Sequence, residues 1–225
     1  MKIAVLGTGM VGQALAGRLS GLGHDVTIGT RDPQATLART EPDGMGNPPF
    51  SAWVADHSDV SLATFADAAA SAELVHNATN GYGALPALEA AGADNLAGKV
   101  VVDISNPLDF SKGFPPTLFV KDTDSLGEQL QRAFPQARVV KTLNTLNANL
   151  MVDPAALGAE SSVFVSGDDA DAKRTVTELL QSFGHTDVID LGDITTARGS
   201  EMLLPIWVRL MGVLGTASFN FRVVR

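Results

Sequence analysis

The chain has 225 residues, enough for one enlarged domain or for one domain with an appendage. Asp and Glu outnumber Lys and Arg by 25 to 16, so the net charge of −9 repels polyanions and argues against a nucleic-acid partner. No cysteine is present, which excludes disulfides and thiolate nucleophiles, and no spacing typical of a metal site occurs. The apolar stretch 202–214 contains Pro205 and Arg209 and is too short to cross a bilayer, so we expect a cytoplasmic protein without a membrane segment.

The first element of the chain predicts a nucleotide site. A short apolar strand, residues 2–6, runs directly into a glycine-rich turn and then into a helix-patterned stretch. Gly7 permits a tight turn, Gly9 lets the backbone approach a pyrophosphate, and Gly12 lets the helix pack closely on the sheet, whereas a merely structural turn would need only one of the three. A second strand at residues 25–28 completes the pattern. The residues expected to bind the cofactor here are Gly7, Thr8, Gly9, Met10, Val11 and Gly12.

The end of the second strand indicates which dinucleotide is bound. Preference for NAD requires an acidic residue there to bind the ribose hydroxyls, and this chain has Thr30 and Arg31 instead. A hydroxyl and a guanidinium can hold a 2′-phosphate, which favours NADP(H). The alternative is that Arg31 caps a solvated turn while Asp32 points inward. The following segment, residues 33–59, is rich in proline and glycine, Gly44 among them, and predicts a loop with a short helix at each end that borders the cofactor.

Strands and helices alternate through the rest of the chain. Further strands are predicted at residues 60–62, 73–78, 99–104 and 138–143, with helices at 64–72, 85–91 and 125–134 between them. This alternation predicts an α/β fold with a Rossmann-type doubly wound parallel sheet, which forms an NADP-binding domain over residues 1–148. Strands at 162–167, 187–191 and 218–224, with helices at 169–183 and 197–214, predict a small C-terminal α+β cap over residues 149–225.

Short turn segments follow the fourth, fifth and sixth strands, at the edge where doubly wound folds bind ligands. We expect their residues to orient a nicotinamide and the ring of its reaction partner, although Asn and Ser also form ordinary turns. These residues are Asn77, Ala78, Thr79, Asn80, Ser105, Asn106, Leu143, Asn144 and Asn147. His76, inside the fourth strand, either packs in the sheet with satisfied nitrogens or approaches the nicotinamide.

The chain offers no obvious acid–base pair. No Ser/His/Asp arrangement and no histidine with a partner at catalytic spacing stands out, so no catalytic residue is assigned. A reaction that only places a hydride donor against an acceptor requires none, because holding two rings at near-attack distance is the catalytic work. This favours a second redox cofactor as the substrate.

Five segments together resemble a known family. They are residues 1–12, 29–31, 141–145, 165–169 and 190–201. In this order and spacing they resemble the NADP oxidoreductases that depend on the deazaflavin coenzyme F420, which also resemble the cytosolic reductase domain of mammalian membrane ferric reductases. The resemblance implies an NADP-dependent oxidoreductase that transfers hydride between NADP(H) and coenzyme F420 or a flavin. It also implies that residues 8–11 line the pyrophosphate, that Thr30 and Arg31 hold the 2′-phosphate, and that residues 191–202 form the far wall of the acceptor cleft.

Two other functions remain open. One is the reduction of a small carbonyl or imine, as in the 6-phosphogluconate dehydrogenase and pyrroline-carboxylate reductase lineages, whose long all-helical second domain differs from the strands predicted here. The other is a catalytically silent NADP-sensing module that binds a protein partner in a redox-dependent way.

The last predicted helix carries six apolar residues that fall mostly on one broad face. This pattern predicts either core packing or the interface of a twofold homodimer. The six are Leu203, Leu204, Trp207, Leu210, Met211 and Leu214.

Overall fold

A computed structural model of the chain describes residues 1–42 and 46–225, so Gly44 of the predicted loop lies outside the described residues. The strands are β1 (Lys2–Leu6), β2 (Asp25–Thr30), β3 (Val60–Thr64), β4 (Leu74–Asn77), β5 (Val100–Asp103), β6 (Leu108–Asp109), β7 (Thr117–Leu118), β8 (Arg138–Thr142), β9 (Ser162–Ser166) and β10 (Asp187–Gly192). The helices are α1 (Met10–Gly21), α2 (Pro33–Ala38), α3 (Phe50–Ala55), α4 (Phe65–Ser71), α5 (Gly81–Ala91), α6 (Ala93–Leu96), α7 (Leu126–Ala133), α8 (Ala148–Val152), α9 (Ala170–Phe183), α10 (Ala197–Met202) and α11 (Leu204–Leu214). Helices α2 and α3 confirm the short helix predicted at each end of the 33–59 segment.

Eight strands of the described chain form one sheet in the order β10-β9-β8-β5-β4-β1-β2-β3. Neighbouring strands are parallel except β8 and β9, which are antiparallel. The run β3-β2-β1-β4-β5-β8 is the doubly wound order, so the predicted Rossmann-type α/β fold is confirmed. Strands β6 and β7 pair separately as a short antiparallel hairpin between β5 and α7, which was not predicted.

Strand β1 is buried on both faces of the sheet. Ile3 and Val5 belong to a core with Leu15 of α1, and Ala4 and Leu6 belong to a second core on the opposite face. Strands covered on both sides are continuous apolar runs, because neither face meets water. Because both faces of the strand are covered, a ligand can reach the polar residues only in the turns at the strand ends.

The C-terminal part of the chain differs from the prediction in two places. Strands β9 and β10 extend the main sheet beyond β8, and the predicted domain division at residue 148 stays a prediction. The predicted strand 218–224 is wrong. A backbone hydrogen bond from Ser162 N–H to the Phe221 carbonyl (2.8 Å) attaches this segment to the start of β9, but the Val223 N–H bonds to the Ser162 hydroxyl (2.9 Å) rather than to a strand carbonyl, so no strand ladder forms.

The predicted helix 197–214 is divided into α10 and α11, which meet at Leu203. Pro205 has no N–H group and its ring clashes with the preceding turn, so α10 cannot continue through it. Within residues 1–42 and 46–225, the helices are all too short or too polar to span a membrane.

Candidate functional site

The glycine-rich turn after β1 has backbone packing that only glycine permits. Gly7 has a φ of +123°, and a Cβ there would lie 2.8 Å from the Ala78 carbonyl oxygen. At Gly12 a Cβ would lie 2.0 Å from the Gly7 carbonyl oxygen, so α1 packs directly on the turn. Val11 and Ala78 are partly buried against the core below it. A side chain at Gly7 or Gly12 would therefore force the backbone to move.

Gly9 leaves the start of α1 open. It is the N-cap of α1, no side chain caps the helix, and the first turn contains no acidic residue. A Cβ at Gly9 would meet no described atom within 4 Å. The N–H groups at a helix start lack intrahelical partners, and the helix dipole places positive charge there, so an anion is attracted. The turn therefore fits a pyrophosphate, and Gln13 steadies it through a hydrogen bond from Nε2 to the Thr8 carbonyl (2.9 Å).

A cavity of about 490 Å³ opens beside this turn, between α1, α2 and α3. Thr8, Gly9 and Met10, which were predicted to bind the cofactor, line it. Thr36 and Arg39 line it as well; both lie in the segment predicted to border the cofactor, although neither was named as a binding residue. The volume of this cavity and its place at a helix N-terminus suit the adenosine end of a dinucleotide.

Thr30 and Arg31 are not among the residues that line this cavity. Thr30 is buried, and its hydroxyl lies 2.9 Å from the hydroxyl of Thr36. Arg31 is exposed, and its side chain forms no hydrogen bond or ion pair with the described residues. Asp32 accepts a hydrogen bond from Ala35 N–H (2.9 Å), so its carboxylate caps α2. The 2′-phosphate role of Thr30 and Arg31 stays a prediction.

The predicted residues after β4 and β5 are joined by hydrogen bonds. Asp103 is fully buried at the end of β5, and its Oδ1 accepts from Asn77 Nδ2 (2.8 Å) and from Ser105 Oγ (2.7 Å). Asn77 Oδ1 accepts in turn from the Thr79 hydroxyl (2.7 Å). These bonds hold the Asn77 amide and the Ser105 hydroxyl in fixed orientations at the carboxyl edge of the sheet.

Asn106 and Asn144 form a second linked pair, between β5 and β8. Asn106 Nδ2 donates to the Asn144 carbonyl (2.9 Å), and Asn144 Nδ2 donates to Asn106 Oδ1 (3.2 Å). Asn144 Nδ2 also lies 3.0 Å from the Ser200 carbonyl, which attaches α10 to this edge. Leu143 has a φ of +60°, uncommon for leucine, where the chain leaves β8. The fold thus brings the predicted strand-end residues to one edge, and their contact with a nicotinamide stays a prediction.

A buried ionic cluster lies under this edge. The fully buried Lys141 places its Nζ 2.8 Å from Asp103 Oδ2 and 2.9 Å from Glu201 Oε1. Glu201 also accepts from the first two N–H groups of α7 (2.8 and 3.0 Å). Burial acts to lower the pKa of Lys141, but the two carboxylates and their hydrogen bonds outweigh it, so the pKa is raised. The charged ammonium therefore ties β5, β8, α7 and α10 together.

His76 packs inside the sheet, between its register partners Val5 and Val102. It is buried, and neither ring nitrogen has a hydrogen-bond partner among the described residues. Of the two alternatives for His76, the structure shows packing in the sheet, but the hydrogen bonds expected for its nitrogens are not formed among the described residues. Burial lowers the pKa of His76 to about 3, so the ring is neutral near pH 7.

Replacing His76 by leucine should remove a pH-dependent loss of stability. In the wild-type protein the native ring stays neutral while the unfolded chain binds a proton below its pKa of 6.5. The free energy of unfolding therefore falls as the pH drops from 6.5 toward 3, by up to about 1.4 kcal/mol per pH unit. The variant should lack this contribution and be about 1 to 3 kcal/mol more stable at neutral pH, because no unpaired polar group remains. Urea denaturation of the two proteins at neutral pH and at several lower pH values measures the stability difference and its pH dependence. Identical pH slopes in the two proteins would contradict the prediction.

Comparison with known proteins identifies the family. Residues 2–107 match the family described as NADP oxidoreductase, coenzyme F420-dependent. A protein of Arthrobacter sp. FB24 with a solved crystal structure, described as a putative F420-dependent NADP reductase, is 67% identical, with 100% of both chains covered and a TM-score of 0.97. The chain belongs to the coenzyme F420-dependent NADP oxidoreductase family. The predicted family is confirmed, and with it an NADP-dependent oxidoreductase.

Two curated relatives show how widely this family's sequence pattern extends. The F420-dependent NADP reductase of Methanothermobacter marburgensis is 28% identical, over 93% of this chain and 92% of its own length. The metalloreductase STEAP3 of Rattus norvegicus is 33% identical over 92% of this chain. The chain spans 38% of the length of STEAP3, so the activity of that longer protein is not assigned to this chain.

Proposed function

We propose that this member of the family transfers hydride between NADP(H) and coenzyme F420, with a flavin as the alternative acceptor. The observation that carries the proposal is the open helix start at Gly9, which fits a pyrophosphate and lies next to the carboxyl ends of the central strands. NADPH supplies the hydride when bound, and the work of the chain is to bind and orient the two rings.

The linked strand-end residues support a nicotinamide position at this edge. Asp103 holds Asn77 and Ser105, and Asn106 and Asn144 hold one another, so their polar groups are oriented before any ligand arrives. Preorganised groups lose less conformational freedom when a ligand binds. The role we propose for these residues is therefore to position the rings, and no side chain is assigned to proton transfer.

The segment 191–202 supports an acceptor cleft beside the nicotinamide. Its Ser200 carbonyl accepts from Asn144 Nδ2, so the segment is attached to the strand-end edge. Leu191 and Met202 of the same segment are large apolar side chains that remain exposed. Exposed apolar groups beside a polar edge suit a planar ring system with polar substituents.

Anaerobic incubation of the purified protein with NADPH and oxidised coenzyme F420, and separately with FMN, tests this proposal. The visible band of the acceptor should disappear at a rate that saturates with coenzyme F420. A Gly9→Val variant, whose new side chain would cover the helix start, is the matched negative control. Binding of NADPH without turnover of either acceptor would contradict the proposal and favour the NADP-sensing module. Turnover confined to imine or carbonyl substrates would favour the small-substrate reductase.

We also infer that α11 forms the interface of a twofold homodimer in the cytoplasm. Leu204 and Val208 of this helix are buried, whereas Ile206, Val213 and Leu214 are exposed. An exposed apolar helix face is typical of an association surface.

Sedimentation at micromolar protein concentration should show a dimer. Val213 is 84% exposed, and Val213→Glu should convert the dimer to a monomer because a charge would be buried in the interface. Val224 lies in the C-terminal tail and is 87% exposed, so Val224→Glu is the matched control that stays dimeric. A monomeric wild-type protein would contradict the interface.

A further inference from the structure

The hydrogen bonds of the buried ionic cluster fix the protonation state of its three side chains. The Lys141 ammonium has three N–H donors. Their acceptors are Asp103, Glu201 and the Ser105 carbonyl (2.5 Å). Asp103 accepts further bonds from Asn77 and Ser105, and Glu201 accepts two from the backbone N–H groups that begin α7. A proton on either carboxyl would thus face a donor instead of an acceptor, so both groups are carboxylates.

The cluster carries one negative charge in excess, because one ammonium faces two carboxylates. Among the described residues, no second cation forms an ion pair with Asp103 or Glu201. The N-terminus of α7 offsets only part of the excess, and the neighbouring Glu128 is paired with Arg198 and adds no net charge. The three side chains of the cluster are at most 2% exposed, so solvent screens this charge far less than a surface charge.

Hydrogen bonds connect this excess charge to the proposed nicotinamide position. Asp103 Oδ1 accepts from Asn77 Nδ2 (2.8 Å) and from Ser105 Oγ (2.7 Å), two of the side chains proposed to orient the ring. The oxidised nicotinamide carries one positive charge more than the reduced ring, because hydride leaves with both electrons of the C–H bond. A nearby negative charge therefore stabilises the oxidised ring and has little effect on the neutral, reduced ring.

We propose that the excess negative charge of the Lys141–Asp103–Glu201 cluster favours the oxidised over the reduced nicotinamide and so makes bound NADPH a stronger hydride donor. The inference rests on the proposed function, because it takes a nicotinamide at the strand-end edge as given. The reaction is unchanged: the hydride passes from NADPH to the acceptor ring, which takes the accompanying proton from water. The cluster transfers no proton, and it acts on the ring through its charge.

Calorimetry with NADPH and with NADP⁺ measures this effect, since the two nucleotides differ by one hydride and hence in the charge of the ring. The quantity compared is the dissociation constant of NADPH divided by that of NADP⁺. Glu201→Gln removes one negative charge and should lower this ratio roughly 3- to 20-fold, as expected for a unit charge acting at an effective dielectric constant of about 20. Asp103→Asn makes the same change of charge through the other carboxylate and should also lower the ratio.

A double variant distinguishes the effect of charge from that of structure. Lys141→Met combined with Glu201→Gln removes one ammonium and one carboxylate, so Asp103 alone restores one negative charge in excess. The ratio should return toward the wild-type value, although the cluster is disrupted more than in Glu201→Gln. A merely structural role predicts instead that the double variant departs from the wild-type ratio at least as far as the single variant.

Glu89→Gln is the matched surface control, because it removes the same charge from an exposed position. Glu89 lies in the last turn of α5, which begins after β4 at the strand-end edge and leads away from it. Water and salt screen this carboxylate, so the ratio should stay at the wild-type value. The effect of Glu201→Gln should persist in about 0.5 M salt, because buried charges are screened much less than exposed ones.

The outcomes separate this inference from the function on which it rests. A wild-type ratio in Glu201→Gln and Asp103→Asn proteins that bind NADPH would overturn the inference and leave the proposed function intact. A ratio lowered in the double variant as far as in Glu201→Gln would do the same. Failure of the wild-type protein to bind either nucleotide would overturn both.

Discussion

Replacing Gly12 by alanine should destabilise the protein by about 3 kcal/mol or more and abolish NADP(H) binding. A Cβ at Gly12 would lie 2.0 Å from the Gly7 carbonyl oxygen and 2.9 Å from its carbon, so backbone rather than a flexible side chain would have to move. Gly7 N–H donates to the Gly29 carbonyl (3.0 Å), so a displaced turn also disturbs the pairing of β1 with β2. Urea denaturation measures the stability, and calorimetry measures the affinity for NADPH.

Two other glycines near α1 are the matched controls. A Cβ at Gly9 or at Gly21 would meet no described atom within 4 Å. Gly9→Val should keep the wild-type stability but lose NADPH affinity by roughly 100-fold or more, because the side chain would cover the anion-binding helix start. Gly21→Ala, at the far end of α1, should preserve both. Wild-type stability and NADPH affinity in Gly12→Ala would contradict the packing role of this glycine.

Replacing Lys141 by methionine should destabilise the protein by about 3 to 5 kcal/mol. Methionine keeps much of the volume of lysine but leaves the buried carboxylates of Asp103 and Glu201 without their cation. Asp103 also holds Asn77 and Ser105, so turnover with NADPH should fall as well. Urea denaturation near neutral pH measures the loss of stability.

A surface ion pair provides the control for this substitution. Arg174 and Asp171 form an ion pair of 2.7 Å, but their side chains are 66% and 72% exposed. Water solvates both charges when the pair is broken, so Arg174→Met should cost less than about 1 kcal/mol. If Lys141→Met lowered the free energy of unfolding no more than Arg174→Met, the stabilising role of the buried ionic cluster would be contradicted.

The nucleotide turn and the central strands could be predicted because their signals are local. Gly7, Gly9 and Gly12 stand close together directly after an apolar strand, and each meets a separate backbone requirement. The alternation of strands and helices over residues 60–143 then restricts the topology, because parallel strands need crossover helices and the crossovers have one hand.

The ionic cluster could not be predicted, because it joins residues that are distant along the chain. Lys141 and Asp103 are 38 residues apart, and only the fold brings them together. An acidic residue in the otherwise apolar β5 was the available signal for Asp103. Arg39 gave no comparable signal, because its position depends on how α2 leaves the Asp32 cap.

The C-terminal segment shows where a local pattern fails. Phe219, Phe221 and Val223 alternate with polar residues as a half-buried strand would, which predicts a strand. In the structure Phe219 stacks on Trp207 of α11, with ring centroids 5.2 Å apart. Phe219 therefore packs against α11, and the segment is joined to β9 through the hydrogen bond from Ser162 N–H to the Phe221 carbonyl.

The fate of a deuterium label decides whether one cleft holds both redox partners. NADPH deuterated at nicotinamide C4, in each of its two stereoisomers, would be incubated with the protein and oxidised coenzyme F420 in ordinary water, and the product analysed by mass spectrometry. Direct transfer between two rings held together predicts that one stereoisomer delivers its deuterium to reduced coenzyme F420. Reduced coenzyme F420 without label from either stereoisomer, or no reduction at all, would contradict it.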